Sequence, residues 1–279
     1  MSEAPAPVPR PRTALALTAF AWSVMVLVTL LATPAEGGVF GLALGLLLGL
    51  GGAGTLAARG VPAPTERRIG LVGFAPRLLL PLALLAPFVL LASEIDNCIA
   101  AAFFPAAKTA ASEAAIPDSL ATLEWVLFAV LLRPVLEEFF FRGVIQQGVV
   151  AALGPARGVL LTALLFALVR TSLFGADAYH AVSFGVQALA AGLLLGFVRL
   201  SSGSILACVL LQTALEGAGV LSLVLREPLP IPGFNAEGAH TPLAWLVPAA
   251  LSVGLGIRLL GRETQRPIAG PGDLGPVRS

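Results

Sequence analysis

The chain has 279 residues, of which 57% are hydrophobic and only 12% are charged, and its formal net charge is +1. Soluble globular chains carry about 25% charged residues, so this chain has too few polar groups to cover a compact soluble body. The composition excludes a soluble enzyme and a disordered chain, and the small net charge excludes a nucleic-acid binder. The composition predicts a membrane protein that contacts the lipid bilayer.

Eight apolar runs are long enough to cross a bilayer, which needs about 20 residues per helix. They cover residues 14–32, 39–58, 78–95, 120–143, 158–174, 181–200, 204–224 and 242–260. The predicted fold is all-α, a polytopic bundle of about eight transmembrane helices. The first run weakly resembles a signal peptide, but its length and the seven later runs favour a retained helix.

Both ends of the chain are rich in Pro, Gly and Arg, which is typical of disordered tails. The predicted organisation is therefore an N-terminal tail, a first group of helices and loops, a core, a loop with the last helix, and a C-terminal tail. These parts cover residues 1–12, 13–119, 120–225, 226–262 and 263–279.

The distribution of basic residues predicts the orientation, because cytoplasmic loops are enriched in Lys and Arg. With both termini inside, twelve arginines are cytoplasmic: Arg10, Arg12, Arg59, Arg67, Arg68, Arg77, Arg157, Arg199, Arg258, Arg262, Arg266 and Arg278. Only Lys108 and Arg226 fall outside, whereas eight acids, Glu94 and Asp96 among them, do so. The sequence predicts cytoplasmic N- and C-termini.

A few charged side chains remain inside the apolar runs once Glu124, predicted to be interfacial, is set aside. They are Arg133, Glu137, Glu138, Arg142, Arg170 and Glu216. Glu138–Arg142 and Arg133–Glu137 have the i,i+4 spacing of helical ion pairs. Adjacent glutamates point about 100° apart on a helix, so one is free to face a cavity and act as a general base. Alternatively, the two arginines simply neutralise both glutamates.

Residues 137–143, EEFFFRG, resemble the EExxxR signature of the CPBP intramembrane proteases. This family includes type II CAAX prenyl endopeptidases and bacteriocin-processing, ABI-like proteins. Further segments lie in the order and spacing of the other family motifs. Residues 164–170 correspond to the FxxxH helix, 191–205 to a Gly-rich helix and turn, 211–216 to HxxxN or HxxxD, and 67–71 to an upstream element.

The resemblance implies that Glu137 activates water and that Glu138 and Arg142 support the catalytic centre. It also implies zinc, but both histidine positions are changed, to Arg170 and Gln212, and the Asn or Asp position is Glu216. Arginine has no lone pair to donate to a metal, and glutamine is a poor zinc ligand. We therefore expect no metal ion and no other cofactor at this centre.

Arg170 itself has two interpretations. A fixed cation near Glu137 and Glu216 favours a carboxylate–guanidinium cluster. Alternatively, Arg170 lies near its helix end and extends to the membrane interface.

The histidines of the chain, His180 and His240, fall in or beside predicted outside loops. His180 is either an ordinary surface group or a ligand displaced into the site. Cys98 and Cys208 lie far apart in apolar stretches, which predicts buried, unpaired thiols without a metal site.

Three functions are consistent with these features. The first is a family member that keeps the fold but has lost metal-dependent proteolysis, a pseudoenzyme that binds a membrane-associated peptide, protein or lipid. The second is a divergent active protease that uses Glu137 as its general base. The third is a transporter or channel-like protein with paired intramembrane charges. The resemblance and the Arg- and Ala-rich composition imply a multi-pass protein of the bacterial cell inner membrane.

Overall fold

The regular secondary structure of the described residues is helical, which confirms the predicted all-α fold. The computed structural model describes residues 8–33, 39–105, 119–174 and 177–264. Their α-helices are α1 (Pro11–Ala32), α2 (Phe40–Leu46), α3 (Ala53–Ala58), α4 (Thr65–Ile69), α5 (Leu79–Leu85), α6 (Phe88–Phe103), α7 (Ser119–Val126), α8 (Arg133–Glu138), α9 (Gln146–Leu153), α10 (Pro155–Phe174), α11 (Ala178–Ser202), α12 (Ile205–Val224) and α13 (Leu243–Thr264).

Short non-α turns join several of these helices into longer ones. π-Helical segments connect α2 to α3, α7 to α8 and α8 to α9, and a 3-10 turn precedes α5. They are Leu47–Gly52, Leu127–Leu132, Phe139–Ile145 and Pro76–Leu78.

Seven helical segments of the described residues are long and apolar enough to cross a membrane. They are Pro11–Ala32, Phe40–Ala58, Pro76–Phe103, Pro155–Ser172, Ala178–Ser202, Ile205–Val224 and Leu243–Arg262. The remaining predicted run, 120–143, is also helical and continues through α9. It carries five charged residues and is not among the seven. The chain is therefore a multi-pass membrane protein, and its polar segment lies among apolar ones.

One predicted loop is partly wrong. Asp96 was expected in an outside loop, but α6 continues to Phe103 and includes it. The side chain tolerates a helical position because the hydroxyl groups of Tyr179 and Ser183, both on α11, donate hydrogen bonds to its Oδ1.

The predicted tails are shorter than expected where the structure describes them. α1 begins at Pro11, inside the predicted tail 1–12, since proline suits the first turn of a helix. α13 continues to Thr264, two residues into the predicted tail 263–279. Several charges used to predict the topology lie outside the described residues: Glu36, Lys108, Glu113, Asp118, Arg266 and Arg278.

Helices α10 and α11 form the most extensive helix–helix contact of the bundle. A glycine allows their close approach, because a Cβ on Gly192 would lie 3.1 Å from both Cα and Cβ of Ala163. α12 packs against α8 and α11. This packing brings the segments that resemble family motifs to one side of α8.

Candidate functional site

Glu137 and Glu138 lie on α8, a short α-helical stretch between two π-helical segments. π-Helical turns are rare and occur often at functional sites. Both glutamates are buried. They therefore need partners inside the bundle, and the two side chains have different ones.

Glu138 pairs with Arg142, as the i,i+4 spacing predicts. Oε1 of Glu138 lies 2.8 Å from Nη1 of Arg142, and neither side chain is exposed. The guanidinium also donates to the carbonyl oxygen of Gly192 at 3.3 Å and lies 4.2 Å from the ring centre of Phe166. The pair thus connects the α8 region to α10 and α11.

Glu137 faces two other helices. The amide nitrogen Nε2 of Gln212 on α12 donates a hydrogen bond to its Oε2, and Nε of Arg170 on α10 lies 3.6 Å from its Oε1. An amide oxygen in the same position would be repelled by the carboxylate, which supports this orientation of the Gln212 amide. One oxygen of Glu137 therefore accepts a hydrogen bond and the other faces a guanidinium, and the side chain is only 2% exposed.

Glu216 accepts two guanidinium groups. Nη2 of Arg170 lies 2.5 Å from its Oε1, and Nη2 of Arg133 lies 2.5 Å from its Oε2. The sequence spacing predicted Glu137 as the partner of Arg133, but packing of α12 on α8 brings Glu216 to it instead. Arg133, Glu137, Arg170, Gln212 and Glu216 together are called the charge cluster below.

Arg170 does not extend to the membrane interface. Its side chain is 16% exposed and contacts both carboxylates of the charge cluster. The alternative interpretation of this residue is therefore wrong, and the predicted carboxylate–guanidinium cluster is confirmed. Its helix packs against α11 and against the π-helical segment that follows α8, and the guanidinium contacts the acids from there.

A cavity of about 360 Å³ borders the charge cluster. Arg133, Arg170, Gln212 and Glu216 provide its polar wall. Most of the remaining wall is apolar and includes Phe88, Val89, Phe184, Leu195 and Leu215. The site thus combines a polar floor with apolar walls, as small-ligand sites commonly do.

A second cavity of about 370 Å³ shares Phe184 and Gln187 with the first. Its polar lining includes Asp96, Ser183 and Gln187, whose amide donates to the hydroxyl of Ser183 at 2.8 Å. The sequence analysis missed Ser183 and Gln187 because it sorted only charged side chains inside apolar runs. Neutral polar residues in those runs are the signal that would have indicated them.

His180 does not line the cavity beside the charge cluster, but it does line the second cavity. It lies in the first turn of α11, and its Nδ1 is 2.8 Å from Oδ2 of the N-cap residue Asp177. The backbone amide of His180, and then its imidazole, hold the pKa of the exposed Asp177 carboxyl below its usual value. The interpretation of His180 as an ordinary surface group agrees with this position.

An upstream segment supports the same region from the other side. A Cβ on Gly143 would lie 2.9 Å from Cγ2 of Ile69, so the two backbones approach closely. Arg199 on α11 donates to the carbonyl oxygen of Arg68 at 2.9 Å and to that of Arg142 at 3.3 Å. The segments with a family resemblance are therefore joined directly.

Comparison with known families agrees with this geometry. Residues 119–217 match the family model described as type II CAAX prenyl endopeptidase Rce1-like. The core of the chain is CAAX-protease-like. No curated protein matches the chain, and no solved structure does. The match extends from the start of α7 into α12 and contains the whole charge cluster, Glu138 and Arg142.

The zinc ion that the CAAX-protease resemblance implies does not fit the side chains at this centre. The guanidinium of Arg170 lies against Glu137, where a cation would repel a second, divalent one. The Gln212 amide directs its NH₂ group, which has no lone pair to offer, towards the same carboxylate. Among the described residues, no three metal-binding side chains come together in the charge cluster.

Proposed function

We propose that the chain is a CAAX-protease-like membrane protein whose central site no longer carries out metal-dependent proteolysis. The observation behind this proposal is the position of Arg170, whose guanidinium contacts Glu137 and Glu216 together. The FxxxH motif that residues 164–170 resemble has a neutral histidine at this position. A permanent cation in its place neutralises the acids that would otherwise attract a metal ion.

The state of Glu137 supports the same proposal. A general base needs a carboxylate oxygen directed at the water molecule that it deprotonates. Oε2 of Glu137 already accepts a hydrogen bond from Gln212, and Oε1 forms an ion pair with Arg170 at 3.6 Å. Activation of water would require breaking one of these contacts in a buried site, where an unpaired charge is costly.

The cavity beside the cluster gives the protein a binding role. Its volume of about 360 Å³ lies within the range of ligand pockets, and its walls are largely apolar. The matched family acts on prenylated peptides by its description. We propose that a membrane-associated peptide with an apolar or prenylated end binds in this cavity without being cleaved.

The proposed location is the cell inner membrane, with both termini in the cytoplasm. The excess of arginines in alternate connecting segments supports this orientation.

A peptide assay tests the function. The purified chain in detergent is incubated with a fluorescent farnesylated peptide that ends in a CAAX sequence, with and without zinc. We expect saturable binding of the peptide and no cleavage product. The Glu137→Gln variant should give the same result. Ala191→Phe should fill the cavity and weaken binding at least tenfold, whereas Leu193→Phe, on the same helix but exposed, should not.

Two other outcomes would contradict the proposal. Hydrolysis that disappears with Glu137→Gln would establish the divergent active protease instead. Ion flux through liposomes that depends on Glu216 would establish the transporter, whose paired charges would then act as a relay.

A further inference from the structure

Three metal-binding side chains lie together outside the charge cluster. Glu94 and Cys98 are one helical turn apart on α6, and His240 lies in the segment between α12 and α13. One ligand atom of each residue lies within 4.8 Å of those of the other two. Cys98 is exposed, contrary to the prediction of a buried thiol.

We propose that Glu94, Cys98 and His240 bind a divalent transition-metal ion of the zinc class. Carboxylate oxygen, thiolate sulfur and imidazole nitrogen are the three ligand types that zinc takes in proteins. The charges also balance, because one carboxylate and one thiolate offset the ion's two positive charges. A thiol ligand makes magnesium or calcium a poor match, since these ions prefer oxygen.

The two distances that involve Glu94 fit such an ion with a small adjustment. Bond lengths of about 2.0–2.3 Å around a tetrahedral zinc ion separate its ligand atoms by roughly 3.3–3.8 Å. Sγ of Cys98 lies 3.9 Å from Oε1 of Glu94, close to this range. Nδ1 of His240 lies 2.7 Å from the same oxygen, so this contact would open by roughly 0.6 Å to admit the ion.

The orientation of Glu94 is fixed independently of a metal ion. Its Oε2 accepts a hydrogen bond from the backbone N–H of Thr241 at 2.8 Å and another from Nδ2 of Asn97 at 2.7 Å. These contacts direct Oε1 towards His240 and Cys98. Outer hydrogen bonds of this kind hold metal ligands in place and strengthen metal binding.

The site lies open at the surface of the helix bundle. The side chain of His240 is 53% exposed and that of Glu94 is 18% exposed. Three protein ligands leave a fourth position for water.

The ion would fasten the segment between α12 and α13 to α6. This segment already rests on α6, where Ser93 and Asn97 donate to the carbonyl oxygen of Gly233 at 3.2 and 2.9 Å. The next residue, Phe234, lines the second cavity, which adjoins the one beside the charge cluster. Metal binding would therefore hold Phe234 in the wall of the second cavity, next to the cavity beside the charge cluster.

A cobalt titration tests the proposal. The full chain, purified in detergent under reducing conditions with its affinity tag removed, is titrated with Co²⁺ and followed by absorption. We expect one ion per chain and a thiolate-to-cobalt charge-transfer band. Zinc should displace the cobalt, because it binds such sites more tightly than cobalt does.

Matched variants locate the ion. Cys98→Ser should abolish the charge-transfer band, and His240→Ala should weaken cobalt binding at least tenfold. Cys208→Ala and His180→Ala, which change the same residue types elsewhere, should leave the titration unchanged. Circular dichroism and gel filtration identify any variant that fails to fold, and Glu94→Gln then serves as a replacement.

Cobalt binding without the charge-transfer band, no cobalt binding, or an unchanged titration of Cys98→Ser would overturn the proposal. None of these results bears on the charge cluster, which is expected to bind no metal. Conversely, cobalt binding that is lost in Glu137→Gln and kept in Cys98→Ser would contradict both proposals.

Discussion

Arg170 joins two acids from different helices, Glu137 on α8 and Glu216 on α12. With Arg133 on the other side of Glu216, the cluster contains two cations and two anions. Isolated charges are expensive inside a membrane protein, and pairing removes most of that cost. In the proposed function, the contacts that neutralise these charges also engage the groups that catalysis would need.

Removing the guanidinium of Arg170 should destabilise the protein. Arg170→Ala removes the guanidinium beside Glu137 and one of the two that bind Glu216. Breaking a buried ion pair in this way costs about 3 kcal/mol. The free energy of unfolding in detergent, measured by denaturant titration, checks this value.

Arg157→Ala is the matched control, because Arg157 lies on the same helix and is exposed. It should change the free energy of unfolding by less than about 0.5 kcal/mol. The double variant Arg170→Ala/Glu216→Ala should lose less stability than the sum of its single variants. Strict additivity would show that the two side chains do not interact.

Pairs within one helix could be predicted from the sequence, and pairs between helices could not. Glu138 and Arg142 are four residues apart, so their contact follows from helical geometry alone. The same rule paired Arg133 with Glu137, whereas the structure shows its salt bridge with Glu216, 83 positions later in the chain. Only the packing of α12 against α8 determines that choice.

At the level of helices, the contact between α10 and α11 positions two parts of the site. α10 carries Arg170, and α11 supplies the carbonyl oxygen of Gly192 that accepts from Arg142. Gly192 lies at a close contact between the two helices, against Ala163. Small residues permit such close approach in membrane helices, where packing rather than the hydrophobic effect drives association.

A large side chain at this contact should separate the helices. Gly192→Leu would force α10 and α11 apart and should lower the free energy of unfolding by about 2–3 kcal/mol. Gly254→Leu on α13 is the control, because nothing lies within 4 Å of a Cβ at that position. Equal stability of the two variants in thermal unfolding would contradict this packing.

The apolar runs predicted most helices, because a hydrophobic stretch of bilayer length leaves few alternatives. Two features of the structure could not be predicted from these runs. Asp96 resembled a loop residue until its partners on α11 were known, and these lie more than 80 residues later. The π-helical segments around α8 lie within apolar runs that predict a helix but not its type.

For the whole molecule, the distribution of arginines predicts the orientation in the membrane. Reporter fusions at the C-terminus should be active in the cytoplasm, and a reporter inserted between α12 and α13 should be active outside. The physical reason is the preference of basic residues for the cytoplasmic side. An outside location of the C-terminus would contradict the orientation and with it the proposed outside position of His240.

Both proposals together predict how much zinc the molecule binds and where. The deciding measurement is the zinc content of the Cys98→Ser variant, determined by mass spectrometry after equilibration with zinc and gel filtration. We expect no zinc above that of a control membrane protein, and one ion per chain when Arg170→His and Gln212→His are added, because two imidazoles and Glu137 would form a three-ligand site. One zinc ion per chain in Cys98→Ser alone, lost with Glu137→Gln, would contradict the proposal that Arg170 has replaced the metal.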